Sequence, residues 1–187
     1  MRRIVVTEFV SLDGVIEEPK WTFEFERGPE GDKFKFEELF DAEALLLGRV
    51  TYEGFGAAWP NMDHDEFGQR MNSIEKYVVS STLTPEQANW GPTTVINGDV
   101  VNQIRQLRSQ GEGNLLVEGS AQLVQTLVEH ALVDEYRLMI FPVILGAGKR
   151  MFPASIPSPS SLTITSSQTV GSGVVILTCS PAGAAAK

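Results

Sequence analysis

The chain has 187 residues, 42% of them hydrophobic and 21% charged, a composition that argues for a folded globular protein and against disorder. A total of 24 acidic against 15 basic residues leaves a formal net charge of −9, which disfavours a polyanionic partner such as nucleic acid. The single cysteine, Cys179, and only two histidines, His64 and His130, exclude an intrachain disulfide and a cysteine-built zinc site, and argue against a histidine-rich metal centre.

The first apolar run, over residues 3–10, is β-branched and reads as a buried strand. It is short and broken by Thr7 and Glu8, so neither a signal peptide nor a membrane span is expected, and a reducing cytoplasm is the expected compartment. Ser11-Leu12-Asp13-Gly14 then opens a long loop containing Pro19, Gly28, Pro29 and Gly31, long enough to suggest that it covers a ligand. Asp32 is in position to cap a helix through Phe36, Leu39 and Phe40.

A second apolar run, 44–47, ends at Gly48, and a helix is expected from Arg49 to a stop before Gly54 and Gly56. A short helix follows over 65–74, then strands over 77–79 and 93–96. Asn97 or Asp99 caps the next helix, where Val100, Ile104 and Leu107 fall on one face. A fifth strand, 115–117, runs into Glu118-Gly119-Ser120 and a helix with rows Leu123, Leu127 and Val124, Val128. A long strand over 136–145 is interrupted by Pro142, a Pro/Ser loop spans 153–161, and strands at 162–170 and 174–179 flank Gly171-Ser172-Gly173 as a hairpin. Alternating strands and helices predict one α/β domain over 1–181, a mainly parallel sheet covered on both faces and closed by an antiparallel hairpin, with a frayed tail over 182–187.

Ligands of open α/β sheets bind beyond the carboxyl ends of the strands. Three such ends here hold small or polar residues: Gly48-Arg49-Val50-Thr51, Ser80-Ser81-Thr82 and Glu118-Gly119-Ser120-Ala121. Two set glycine at a helix start, where unpaired N–H groups and the positive dipole end suit a phosphate, and Arg49 and Thr51 add a cation and a hydroxyl. Glycine before a helix is commonly only a turn device; it is the three ends together that describe a diphosphate site built from separate loops. Three other motifs do not fit their chemistry. Gly146-Ala147-Gly148-Lys149-Arg150 lacks P-loop spacing, Gly119-Ser120 lacks the flanks of a nucleophile elbow, and Asp63-His64-Asp65-Glu66 reads as a solvated loop.

Leu46-Leu47-Gly48-Arg49-Val50-Thr51-Tyr52-Glu53 resembles the Gly-Arg-x-Thr-Trp/Tyr-Glu motif of dihydrofolate reductases, joined by Val78-Val79-Ser80-Ser81 and by the run from Val117 to Leu123. Over nearly the whole chain the likeness is greatest to the dihydrofolate reductase-like group that includes the reductase domain of the riboflavin-biosynthesis deaminase/reductase. Ser11-Leu12-Asp13-Gly14, Leu132-Val133-Asp134-Glu135 and Phe141-Pro142-Val143-Ile144-Leu145-Gly146 carry that second resemblance. It implies a three-layer αβα dihydrofolate reductase-like fold and an NADPH-dependent oxidoreductase. Gly48, Arg49 and Thr51 would meet the cofactor's phosphates, and Ser80 and Ser81 its 2′-phosphate. Gly119, Ser120, Ala121, Gln122 and Leu123 would wrap the diphosphate, and Ser11 and Ile16 would border the nicotinamide. Hydroxyls beside a cation suit NADPH better than NADH. Ser120 stands where the family has the second glycine of a pair.

Glu118, at a strand end beside the cofactor loop, is the first candidate for a catalytic, substrate-facing group. Asp13 is the second, although a turn role suits it equally. Asp32 lies where folate-type enzymes hold their substrate acid, but helix capping competes with that role. Trp21, in the long loop, is the tryptophan best placed to line a substrate cavity. The expected reaction is reduction of a pteridine- or pyrimidine-type heterocycle, led by the ribosylaminopyrimidine step of riboflavin biosynthesis. Dihydrofolate reduction, or a non-catalytic NADPH-binding module, is the alternative. The length suits the reductase domain without a fused deaminase, and the resemblance and the terminal hairpin imply a homodimer.

Overall fold

Alternation along β1 (Arg3–Ser11) sorts its side chains to two faces, Ile4, Val6 and Val10 into one core cluster and Val5 into another. The same sorting builds β2 (Ala42–Gly48), β3 (Glu75–Val79), β4 (Thr93–Ile96), β5 (Asn114–Val117), β6 (Glu135–Phe141), β7 (Leu162–Val170) and β8 (Val174–Pro181). The computed structural model describes residues 1–152 and 161–183. Residues 153–160 of the expected Pro/Ser loop, and 184–187 of the expected tail, lie outside the described residues.

The strands form one sheet in the order β4-β3-β2-β5-β1-β6-β8-β7, parallel from β4 to β6, with β8 antiparallel to both β6 and β7. Among the described residues, five helices cover it: α1 (Gly28–Asp41), α2 (Arg49–Ala58), α3 (Glu66–Ser73), α4 (Val100–Ser109) and α5 (Ala121–Glu129). Ile104 and Leu107 of α4 and Leu123, Val124 and Leu127 of α5 bury against one face. Each such side chain contributes roughly 1.5–3 kcal/mol of transfer free energy. Leu39 of α1, Tyr52 of α2 and Met71 of α3 bury against the other. The architecture is the α/β dihydrofolate reductase-like one.

Several boundaries differ from expectation for identifiable reasons. The region after Ser11 holds a short 3₁₀ turn, Pro19–Glu24, and α1 begins at Gly28 with Arg27 as its N-cap. Pro29 is tolerated there because a first-turn N–H has no helical partner to lose. Asp32 is therefore inside the helix, not its cap, and points outward to Arg27 at 3.0 Å. Helix α2 continues through Gly54 and Gly56, since Gly56 lies against Trp90: a β-carbon there would sit 3.2 Å from the Trp90 Cβ. Strand β6 stops at Phe141, where Pro142 removes the next donor.

One register decides where the site lies. β1 pairs with β5 only from Arg3↔Asn114 to Val6↔Val117, yet stays paired with β6 as far as Ser11↔Phe141. Beyond Val6 and Val117 a split opens in the middle of the sheet, at the carboxyl ends of parallel strands. That is where an open α/β sheet receives its ligand.

Candidate active site

Thr7 and Glu8 line the β1 side of the split and Glu118 the β5 side. Alternation turns Thr7 towards α1, where its hydroxyl donates to Glu38 Oε1 at 3.0 Å. Glu8 shares the face of Val6 and Val10, towards α5. Lys35 reaches in from α1. Its ammonium pairs with Glu38, with Glu118 Oε1 at 3.1 Å and with the Thr7 hydroxyl at 3.5 Å, and it lies 5.1 Å from the Phe9 ring centroid.

Two carboxyls thus contact one ammonium in a largely buried setting, with Glu8 nearby across the strand. Burial opposes the charge on Lys35, but Glu38 and Glu118 hold its pKa above the usual lysine range. Burial raises the Glu38 carboxyl, and Lys35 only partly counters it. Glu8 is pushed well above the usual carboxyl range, first by burial and then by the charge of Glu118. Glu8 Oε1 and Glu38 Oε2 are the buried side-chain polar atoms without a hydrogen-bond partner among the described residues. Buried polar atoms normally find partners, so their concentration at one place marks a site.

Beside the split, the starts of α2 and α5 meet. Gly48 N–H donates to Gly119 O at 3.1 Å, and a β-carbon on Gly48 would lie 2.2 Å from Ser120 Oγ. Gly119 has φ +93°, and a β-carbon there would lie 2.9 Å from Thr51 Oγ1. Glycine is required at both positions by this approach. Neither α2 nor α5 has a side-chain cap, whereas Asp65 and Asp99 cap α3 and α4 by accepting from Gly68 N and Asn102 N. The first-turn N–H groups of α2 and α5 therefore converge on one cradle without partners, a donor set suited to phosphate oxygens.

The expected site residues fall into three groups. Gly48, Thr51, Gly119, Ser120 and Ala121 meet at the cradle; Gln122 is exposed, and Leu123 adds only backbone, its side chain lying in the core. Arg49 stands at the first turn of α2, half-buried and paired with Glu53 at 2.7 Å. Ser80 and Ser81 lie together after β3, but the Ser80 hydroxyl accepts from Thr82 N and Leu83 N, leaving Ser81 as the exposed one.

Asp13 lies in a hydrogen-bonded turn between two loops. Its carboxylate takes the Ser11 hydroxyl at 2.7 Å and the N–H groups of Leu145 and Gly146 at 3.1 and 2.9 Å. Ser11 first, then those amides, hold it down to about 2. Ser11 also accepts from Val15 N, and Ile16 is buried with its N–H on Lys149 O. These residues clip the loop after β1 to the loop after β6. Trp21 stacks edge-on against Phe141, which likewise meets Phe9, so it joins the aromatic wall next to Lys35. Lys35, Glu38, Thr7 and Glu8 were not expected from the sequence. Their signal was there: two polar residues interrupting an apolar strand, and a Lys–Glu pair at i,i+3 beside buried Leu39.

Residues 2–176 match the RibD C-terminal domain family. The chain belongs to that family. Among curated relatives, Bacillus subtilis uncharacterized protein YyaP is 31% identical over 93% of this chain and 92% of its own length. B. subtilis YwjB is 27% identical over 81% of this chain and 83% of its own. A putative riboflavin biosynthesis protein from Shewanella sp. PV-4 superimposes with a TM-score of 0.77 at 22% identity, covering 96% of this chain and 98% of that one. Enterococcus faecalis dihydrofolate reductase, complexed with NADP(H), gives 0.58 at 17% identity over 96% of each chain. The Thermotoga maritima deaminase and 5-amino-6-(5-phosphoribosylamino)uracil reductase gives 0.69 at 14% identity, this chain covering 56% of it. At these identities the solved structures speak for the fold. Among the described residues, no helix is long and apolar enough to cross a membrane.

Proposed function

We propose that this RibD C-terminal family member is an NADPH-dependent reductase of a pyrimidine- or pteridine-type heterocycle, with 5-amino-6-(5-phosphoribosylamino)uracil, the substrate class of the T. maritima neighbour, as the leading candidate. The observation that carries this reading is the contact between the uncapped starts of α2 and α5 at Gly48 and Gly119, directly beside the split between β1 and β5. The donor set there fits a dinucleotide. Amides of both first turns and the Thr51 hydroxyl would take the diphosphate, and a β-carbon on either glycine would fill the cradle. Arg49 and Ser81 would hold the 2′-phosphate, Arg49 after release from Glu53. Bound there, the reduced nicotinamide supplies hydride to the substrate.

The chain's own groups do the rest. Glu118, fixed by Lys35 at 3.1 Å, accepts an N–H of the heterocycle, and the aromatic wall of Phe9, Phe141 and Trp21 excludes water on the α1 side. The test is calorimetric titration with NADPH and NADH, on wild type, Arg49→Ala and Ser81→Ala. Each substitution is expected to weaken NADPH more than NADH. Turnover is then followed at the reduced-nicotinamide absorbance with the ribosylaminouracil and with dihydrofolate. Binding without turnover on either compound points instead to a binding module, and failure to bind NADPH removes the reductase reading.

A further inference from the structure

We propose that Glu8 is the acid of this site: it waits in the split as a neutral carboxylic acid and gives its proton to the substrate atom that gains charge on reduction. The proposal rests on the reductase reading above and adds to it the source of the proton.

Geometry and charge balance lead to the same residue. Glu38 and Glu118 contact the ammonium of Lys35, and Glu8 lies close enough to feel the charges of all three. With all three acids ionised, the split would hold a net charge of −2 in a setting with little water, so at least one proton stays in the cluster. Glu118 and Glu38 both touch Lys35, and Glu38 also takes the Thr7 hydroxyl. Glu8 touches neither Lys35 nor any other donor at its buried oxygen, Oε1. An ionised oxygen without a donor is costly there, whereas a neutral O–H lacks only an acceptor, which a ligand brings. Burial, helped by Glu118 and Glu38 and opposed by Lys35, raises its pKa.

No other nearby group offsets this. From α1 come Lys35 and Glu38, and from the end of β5 comes Glu118. On the far side Arg137 of β6 pairs with Glu135 and also feels Glu38 and Asp41. The polar group from α2 is the Thr51 hydroxyl, and residues 121–128 of α5 include no charged side chain. Glu8 Oε1 lies 3.7 Å from the β-carbon position of Gly119, so the acid borders the cradle. Hydride addition to the carbon of a C=N or C=O bond moves the π pair onto the heteroatom. The Glu8 O–H bond breaks, its proton bonds to that heteroatom and its electron pair stays on the carboxylate, which regains a proton from water.

Infrared spectra of the full chain, titrated over roughly pH 5 to 9, read the protonated carboxyl without any ligand. The expected result is a buried carboxylic-acid C=O band at neutral pH that is absent in Glu8→Gln. In Glu118→Gln, which keeps Glu8 itself, the band persists and titrates at lower pH because a like charge is gone. A wild type without the band, a band that survives in Glu8→Gln, or an unmoved midpoint in Glu118→Gln overturns the assignment. In turnover, Glu8→Gln is expected to lower kcat by about a hundredfold or more with NADPH affinity unchanged. The variant should also lack the wild-type loss of activity as pH rises. Equal pH profiles for the two proteins overturn the donor role. If wild type fails to bind NADPH, the reductase reading falls and the donor role with it, whereas a missing band removes Glu8 alone.

Discussion

Replacing Lys35 with Met removes the cation that Glu38 and Glu118 share. At 3.1 Å the attraction between Lys35 and Glu118 alone is about 5 kcal/mol at an effective dielectric constant of ~20, before desolvation is subtracted. The Lys35 and Glu38 side chains are 13% and 1% exposed, so this is a buried pair. Removing one partner of such a pair costs about 3–5 kcal/mol, because the remaining charge is stranded. Glu38 already has a raised pKa in the folded chain. Its contribution to stability is therefore greatest below the ordinary carboxyl value and declines as pH rises through the raised one. Loss of Lys35 raises that pKa further and prolongs the decline. Lys35→Met should thus be much less stable than wild type near pH 8 and recover much of the difference near pH 5. With a urea m value of ~1–3 kcal/mol/M, the midpoint at the higher pH falls by roughly 1–5 M. The double variant Lys35→Met/Glu38→Gln should regain part of the loss. A penalty below about 1 kcal/mol, typical of surface pairs, or one independent of pH, would falsify the buried-cluster reasoning.

Gly48→Ala drives a methyl group into Ser120 and should weaken NADPH by about tenfold or more, ~1.4 kcal/mol. Adding Ser120→Gly should restore most of the affinity in the same titration, and no rescue would mean that the contact is not what limits binding. Asp13→Asn should lower the melting temperature at neutral pH. Because the folded pKa is depressed to about 2, the deficit relative to wild type should shrink as pH falls towards that value, and a constant deficit would assign the effect to packing. Strand β7 is a sheet edge without charged residues, with Leu162 and Ile164 39% and 63% exposed, and we expect two copies to pair along it. Sedimentation should give a dimer that Ile164→Lys dissociates while NADPH binding persists; a wild-type monomer ends that expectation.

Local chemistry made much of this molecule legible. Strand β4 and the hairpin of β7 and β8 are bounded by proline and glycine, and helices α3 and α4 start on aspartates that do cap them. The glycines of the cradle were legible too, since Gly48 and Gly119 each end a strand before a helix. What sequence hid was set by partners distant along the chain. The strand expected over 77–79 begins earlier, and Lys76 is fully buried in β3 with its ammonium on the carbonyls of Asn72 and Ile74. Asp13, for which a turn role was open, is held by amides more than a hundred residues away. Lys35 falls within the expected helix and was not expected at a site. Only the pairing register, which ends at Val6 and Val117, turns the strand ends opposite it into a site.

That register has a mechanical side. Four strands lie on each side of the line between β5 and β1, and the ladder joining the halves is four residue pairs long, ending at Val117, two residues before Gly119 of the cradle. The sheet is therefore two leaves stitched along a short seam. Both cores cross that seam: Ile4 and Val6 of β1 pack with Leu115 and Val117 of β5 on one face, and Val5 with Leu116 on the other. Glu8 rides on one margin and Gly119 on the other. Packing on both faces of the sheet therefore holds the acid and the cradle in register across the split.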